Sequence, residues 1–266
     1  MKKKNKRISR IPNDVQDRNS VAWKRLCDYI DQVAEEEIDE FVPREELGDK
    51  LFAQIFTLPE SISKLKKVKK IGLYGSQLKR LPPEIGELES LEYFDPYTSY
   101  NLHWFPCEIT KCKNLKDSRI STRALYGNYK NRMRFPDISH NPVRYEGDTV
   151  RCSICNEVVT YEQVNQVWIT LKVGTDIVPL LVTSCSEECE NRLPTPPENY
   201  IQHPHKGGSG LAQPPDEDEL WELKMAEQNQ ENEDISSDTK PENVDNEVNL
   251  FNVKPIKLIK KIWEND

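Results

Sequence analysis

Apolar residues fall at Leu58, Ile62, Leu65 and Val68, again at Leu81, Ile85, Leu88 and Leu91, and again at Phe105, Ile109, Cys112 and Leu115. Equivalent positions are separated by 23 and then 24 residues, and Leu58, Leu81 and Phe105 are each followed by proline. A period in the low twenties marks a unit that cannot bury its apolar face alone, so successive turns stack and share one core. Upstream, Trp23, Leu26, Cys27, Ile30, Val33, Ala34, Ile38 and Phe41 keep a 3.6-residue spacing and predict a helix over 15–42. Cys27 lies on that apolar stripe and reads as a small buried hydrophobe. Pro43 interrupts, and Leu47, Leu51, Phe52 and Ile55 predict a second, short helix. Downstream, 166–173 and 176–183 predict two strands separated by Gly174-Thr175, and Ser186–Leu193 a short helix.

The segment Val68-x-x-Ile71-x-Leu73-x-x-Ser76-x-Leu78-x-x-Leu81-Pro82-x-x-Ile85-x-x-Leu88 resembles the leucine-rich repeat family in its 23-residue L-P-x-x-I variant. Ser76 stands where that pattern has asparagine. The next turn departs further, with Pro96 in the strand position and one residue inserted before Leu102. The third, Leu115-x-x-Ser118-x-Ile120, is weaker, and Phe135-Pro136-Asp137-Ile138 is a degenerate echo. The resemblance covers about residues 55–140. It implies a short α/β solenoid with a helical cap before it, whose strands turn their leucines inward and the intervening residues outward. The outward set is then Lys70, Gly72 and Tyr74, next Tyr93, Asp95 and Tyr97, and then Asp117, Arg119 and Ser121. Tyr74, Tyr93, Asp95, Tyr97 and Arg119 are the candidate partner-binding residues, because tyrosine and arginine are enriched where protein interfaces are tightest. The lysine run between Lys64 and Lys70 reads as a solvated turn face.

Seven cysteines are an odd number for a disulfide framework. Four of them, Cys152, Cys155, Cys185 and Cys189, form C-x2-C-x29-C-x3-C. Two close pairs of thiolates are a ligand set for tetrahedral zinc, and four sulfurs close the site, which makes it structural rather than catalytic. Loop, strand hairpin and then a helix carrying the last ligands resembles a treble-clef zinc finger. Such an ion would supply folding energy to a module of about 50 residues with little core of its own. His203 and His205 read as a surface pair, since four thiolates already fill the tetrahedron. Trp104 reads as packing between the repeat and this module.

Charge narrows the function classes. Residues 216–249 hold 13 Asp/Glu and two Lys, a net of −11, so the rest of a chain at −8 is +3. The acidity belongs to the tail. The four-cysteine segment, 151–193, has three Lys/Arg against six Asp/Glu, which argues against phosphate neutralisation and so against a zinc finger that binds nucleic acid. A ubiquitin-ligase-like effector is a further alternative; no cysteine has aspartate two residues on, and eight ligands for a RING are lacking. The sequence holds no G-x-S-x-G and no H-E-x-x-H, so the expectation is a protein without enzymatic activity. The basic start, MKKKNKRISRIPND, lacks a following apolar region, and no apolar run approaches the roughly 20 residues of a membrane span. These features point to the cytoplasm.

The chain therefore divides, on sequence, into a disordered basic arm (1–12), a helical cap (13–57), leucine-rich repeats (58–145), a four-cysteine zinc module (146–200) and an irregular, mostly disordered acidic tail (201–266). The expected role is a protein–protein interaction scaffold.

Overall fold

Ser20 sets the start of the first helix. Its side chain accepts the Trp23 N–H at 3.2 Å, satisfying one of the free donors of a helix start. The computed structural model describes residue 11 and residues 15–237. Helix α1 (Val21–Glu35) buries Ala22, Trp23, Leu26, Ile30 and Val33. It stops well short of the expected end. Glu37 adopts φ of 51°, and the chain enters strand β1 (Glu40–Phe41) with Phe41 fully buried. Ile38 and Phe41 keep the apolar spacing without extending the helix. Cys27 is only half-buried. Pro43 opens helix α2 (Pro43–Phe52) at its first turn, where a missing N–H leaves no bond unmade.

The proline-marked period becomes geometry. Strands β2 (Lys70–Gly72), β3 (Tyr93–Asp95) and β5 (Asp117–Ser118) join β1 in a parallel sheet of order β1-β2-β3-β5. Lys70 pairs with Tyr93 and Tyr93 with Asp117, so the register repeats the sequence interval. Pro59, Pro82 and Pro106 each sit at the entry of a 3₁₀ turn (Glu60–Lys64, Pro83–Glu87, Cys107–Lys111), at φ of −67°, −74° and −67°. Proline is pre-set to that angle. Ile62, Ile85 and Ile109 from these turns share one core with Ile71, Phe94 and the leucines between them.

Cys112 and Ser76, which stand where the resemblance expects leucine and asparagine, have their polar atoms satisfied. The Cys112 thiol donates to the Ile85 carbonyl at 3.2 Å, and its pKa is pushed up to about 11 by burial. Ser76 Oγ lies 2.7 Å from Ser99 Oγ in the next turn, and Ser99 Oγ donates to the Leu73 carbonyl. Successive 3₁₀ turns approach closely at Gly86, where an added Cβ would fall 2.4 Å from the Glu108 carbonyl oxygen. Gly86→Ala should therefore cost about 1–3 kcal/mol by overpacking. Denaturant unfolding checks this, and an unchanged midpoint would show that the turns separate freely.

The four-cysteine segment is not a separate body. Strand β4 (Phe105–Pro106), from the third expected repeat, pairs in parallel with β9 (Asp176–Ser184). Strand β9 pairs antiparallel with β8 (Asn165–Val173), giving a sheet of order β4-β9-β8. The tip of this hairpin rests on β5. Ser118 Oγ donates to Asp176 Oδ2 at 2.8 Å and accepts the Thr175 N–H at 3.1 Å. Gly174 makes the tight turn at φ of 58°, and a Cβ there would lie 2.8 Å from Ser118 Oγ. The chain through Trp221 forms one compact unit.

Two expectations for the region after 200 need correction. Residues 201–216 are irregular in backbone but built into the fold, with Ile201, His205 and Asp216 buried. His205 is not a surface residue: it is 7% exposed, and its main chain exchanges two hydrogen bonds with Trp168, at 2.8 and 3.0 Å. Its ring stands edge-on to Phe135 in a cluster with Trp104, Tyr126 and Trp168. Trp104 meets Trp168 at 5.7 Å, which is the packing role expected of it. The acidic tail begins as helix α4 (Glu217–Ser237). Asp216 and Glu219 cap its start reciprocally, each accepting the other's N–H at 3.0 Å. Most of the basic arm, the rest of the acidic tail and the stretch 250–266 lie outside the described residues. Among the described residues no helix is long and apolar enough to cross a membrane.

Candidate metal centre and the outer face of the parallel sheet

A short antiparallel pair, β6 (Thr149–Arg151) and β7 (Val158–Thr160), delivers the first two cysteines. Between its strands the chain folds back tightly. Asn156 takes φ of 67°, and the Cys152 N–H donates to the Glu157 carbonyl at 2.8 Å while the Cys152 carbonyl accepts from Asn156 N. The loop is tied to the end of β9, since Ser153 N donates to the Thr183 carbonyl and Thr183 N donates to Ser153 Oγ. Cys185 follows β9 directly. Cys189 sits in the one-turn helix α3 (Glu187–Glu190), capped by Ser186 Oγ, which accepts the Cys189 N–H. The helix is shorter than Ser186–Leu193, but it presents its cysteine where the hairpin ends.

All four thiols converge, with their sulfurs within 4.8 Å of one another. Cys155 and Cys185 are 3.5 Å apart and Cys185 and Cys189 3.7 Å. A tetrahedral ion with metal–sulfur bonds of about 2.3 Å has sulfur–sulfur edges of about 3.8 Å, so the cluster has the dimensions of such a shell. Burial acts to raise the Cys152 pKa, but backbone N–H groups of Cys155, Ile154 and Cys185 outweigh it and bring the thiol down to about 7. Cys185 moves the other way, to about 12, because it donates to Cys155 and Cys152. Four thiolates this close repel unless a cation lies among them. The arrangement is thus a site that could hold one metal ion.

Sequence reading missed two residues that position this centre. Ser153 links its loop to β9, and the buried Glu108 carboxylate accepts from Ser153. Burial nevertheless pushes the Glu108 pKa up. The only cue for either was the C-x2-C loop itself. Ser186 had a clearer one, a capping residue three positions before Cys189.

The other predicted set lies on the outward face of the parallel sheet. Ile71, Phe94 and Ser118 point into the core, so Lys70, Tyr93 and Asp117 point outward in one paired row. Tyr74 and Tyr97 are 46% and 37% exposed, with ring centroids 6.1 Å apart. The Arg119 guanidinium lies over Tyr97 at 4.5 Å and 3.8 Å from Asp95 Oδ2. Tyr93 donates its hydroxyl to Asp95, whose other oxygen accepts the Tyr97 N–H at 2.9 Å. Asp95 is therefore a buttress, while Tyr74, Tyr97 and Arg119 form an accessible ladder across three successive turns. The lysine run is largely paired on the surface, Lys64 with Asp31, Lys66 with Glu87 and Lys69 with Asp39.

No protein-family profile matches this chain, and no curated protein matches it in sequence.

Proposed function

We propose that this protein is a leucine-rich-repeat scaffold that captures another protein on the outer face of its parallel sheet, with a structural zinc ion holding the following module in place. The observation that carries this reading is the ladder of Tyr74, Tyr97 and Arg119. Two tyrosines and an arginine lie exposed and in mutual contact on adjacent turns. Such side chains bury large area at low entropic cost, and each has a polar end for specificity. The four sulfurs fit zinc best because a thiolate tetrahedron with no oxygen or nitrogen donor favours that ion, or iron, over harder cations.

The test is capture from the source cell's lysate with wild type and with a Tyr74→Ala/Tyr97→Ala variant. Both side chains are exposed, so the variant should melt within a few degrees of wild type. A protein retained by wild type and lost with the variant is the expected result. Equal recovery on both would remove the sheet face from the proposal.

A further inference from the structure

A second surface carries three cations and no lining carboxylate. A cavity of about 520 Å³ opens between the third 3₁₀ turn, the metal-binding loop and the chain after α3. Ile154, Leu171 and Pro194 give it apolar walls, and Lys113, Lys172 and Arg192 stand around it. No aspartate or glutamate lines it, in a chain with 45 acidic residues against 37 basic ones. Arg25, Lys64, Lys66 and Lys116, on other parts of the surface, are each matched with a carboxylate. Among the described residues none of these three cations has an ion pair; the Lys113 ammonium donates only to the Thr110 carbonyl, at 2.9 Å.

We infer that this cavity is a docking site for an acidic peptide segment of a partner protein, one that seats an aliphatic side chain between the apolar walls. The choice of a peptide follows from where the cations stand. Lys113 follows the third 3₁₀ turn, Lys172 lies on β8 and Arg192 follows α3, and all three are exposed. Three cations on three separate elements call for more than one carboxylate. A segment with several carboxylates flanking an aliphatic residue meets all three and fills the space between.

Fluorescence anisotropy of the full chain with fluorescein-labelled Asp-Glu-Leu-Asp-Asp-Leu tests this. Saturable binding is expected, weakened at least about tenfold in K113Q/K172Q/R192Q and falling as salt rises. The corresponding Lys-for-acid peptide should not bind. Hydrogen exchange on the wild-type chain should show protection of 192–195 when the acidic peptide is added, which decides the matter even if the triple variant folds poorly. No saturable binding, binding unaffected by the triple substitution, or protection confined to other segments would overturn the proposal. So would competition by decanoate or by a six-nucleotide oligothymidylate as effective as that of unlabelled acidic peptide, since the site would then serve a free amphiphile or nucleic acid.

Discussion

Stripping the metal with a strong chelator, or replacing one ligand in Cys152→Ser, should lower the melting temperature by more than about 10 °C. The size follows from what the four sulfurs join. Cys152 and Cys155 come from the loop between β6 and β7, and Cys185 and Cys189 from the end of β9 and from α3. Among the described residues the small β6–β7 pair has a buried cluster of Val150, Tyr161 and Val164, with Tyr145 and Val159 packed against it. Without an ion, the loop would be held mainly by the two Ser153–Thr183 hydrogen bonds and α3 by the bonds that Glu190 accepts from Asn165 and Ser184. A net loss of only about 4 kcal/mol, a fraction of the binding energy of a structural zinc ion, gives a shift of this size in a chain of this length. Trp168 lies on β8, paired with the strand that leads to Cys185, and packs on Trp104, so intrinsic fluorescence should report the change. Thermal unfolding with and without chelator checks it, and coincident curves would mean that the cluster does not contribute to folding.

Acidification through the range from pH 6.5 to 4 should remove about 3 kcal/mol of stability through His205. Burial, with a smaller contribution from His203, brings its pKa from 6.5 to about 4. Nδ1 accepts the Gly207 N–H at 3.2 Å, so the neutral ring carries its proton on Nε2, which is buried and has no hydrogen-bond partner among the described residues. The sign is that of a depressed folded-state pKa. The unfolded chain takes up a proton near pH 6.5 and the folded chain only near 4. The contribution is complete above 6.5, declines as pH falls through this interval and is flat below 4. Raised carboxyl pKa values at Glu84, Glu108 and Asp176 have the opposite dependence, so the comparison needs a variant. His205→Asn keeps an acceptor for Gly207 and does not titrate. Urea unfolding at pH 7 and pH 4.5 should show wild type losing more stability than the variant; equal losses would mean that the ring is accessible to protonation in the folded chain.

The sequence pattern was most informative where a local rule and a long-range demand coincide. The Leu-Pro period fixed the 3₁₀ turns and the sheet register together, because proline sets the backbone where the core needs a corner. The two cysteine pairs were legible because four metal-binding side chains have few other reasons to sit at a strand end and a helix start. Ile38 and Phe41 misled because apolar residues three apart satisfy both a helix face and a chain turning into a strand. The pairing of Phe105 with Leu180 had no local signature, since it joins residues 75 positions apart. The burial of His205 escaped for a similar reason. A proline-flanked histidine in a Gly-rich stretch reads as surface until Trp168 supplies a strand edge for its main chain. Ser118, a weak repeat position on sequence, is where the second hairpin is seated.

Zinc-edge X-ray absorption on the purified full chain, with metal content measured on the same sample, tests the metal centre most directly. One zinc per chain with four sulfur neighbours at about 2.3 Å is the predicted result. A chain that folds with no bound metal, or whose metal has nitrogen or oxygen in its first shell, would contradict it.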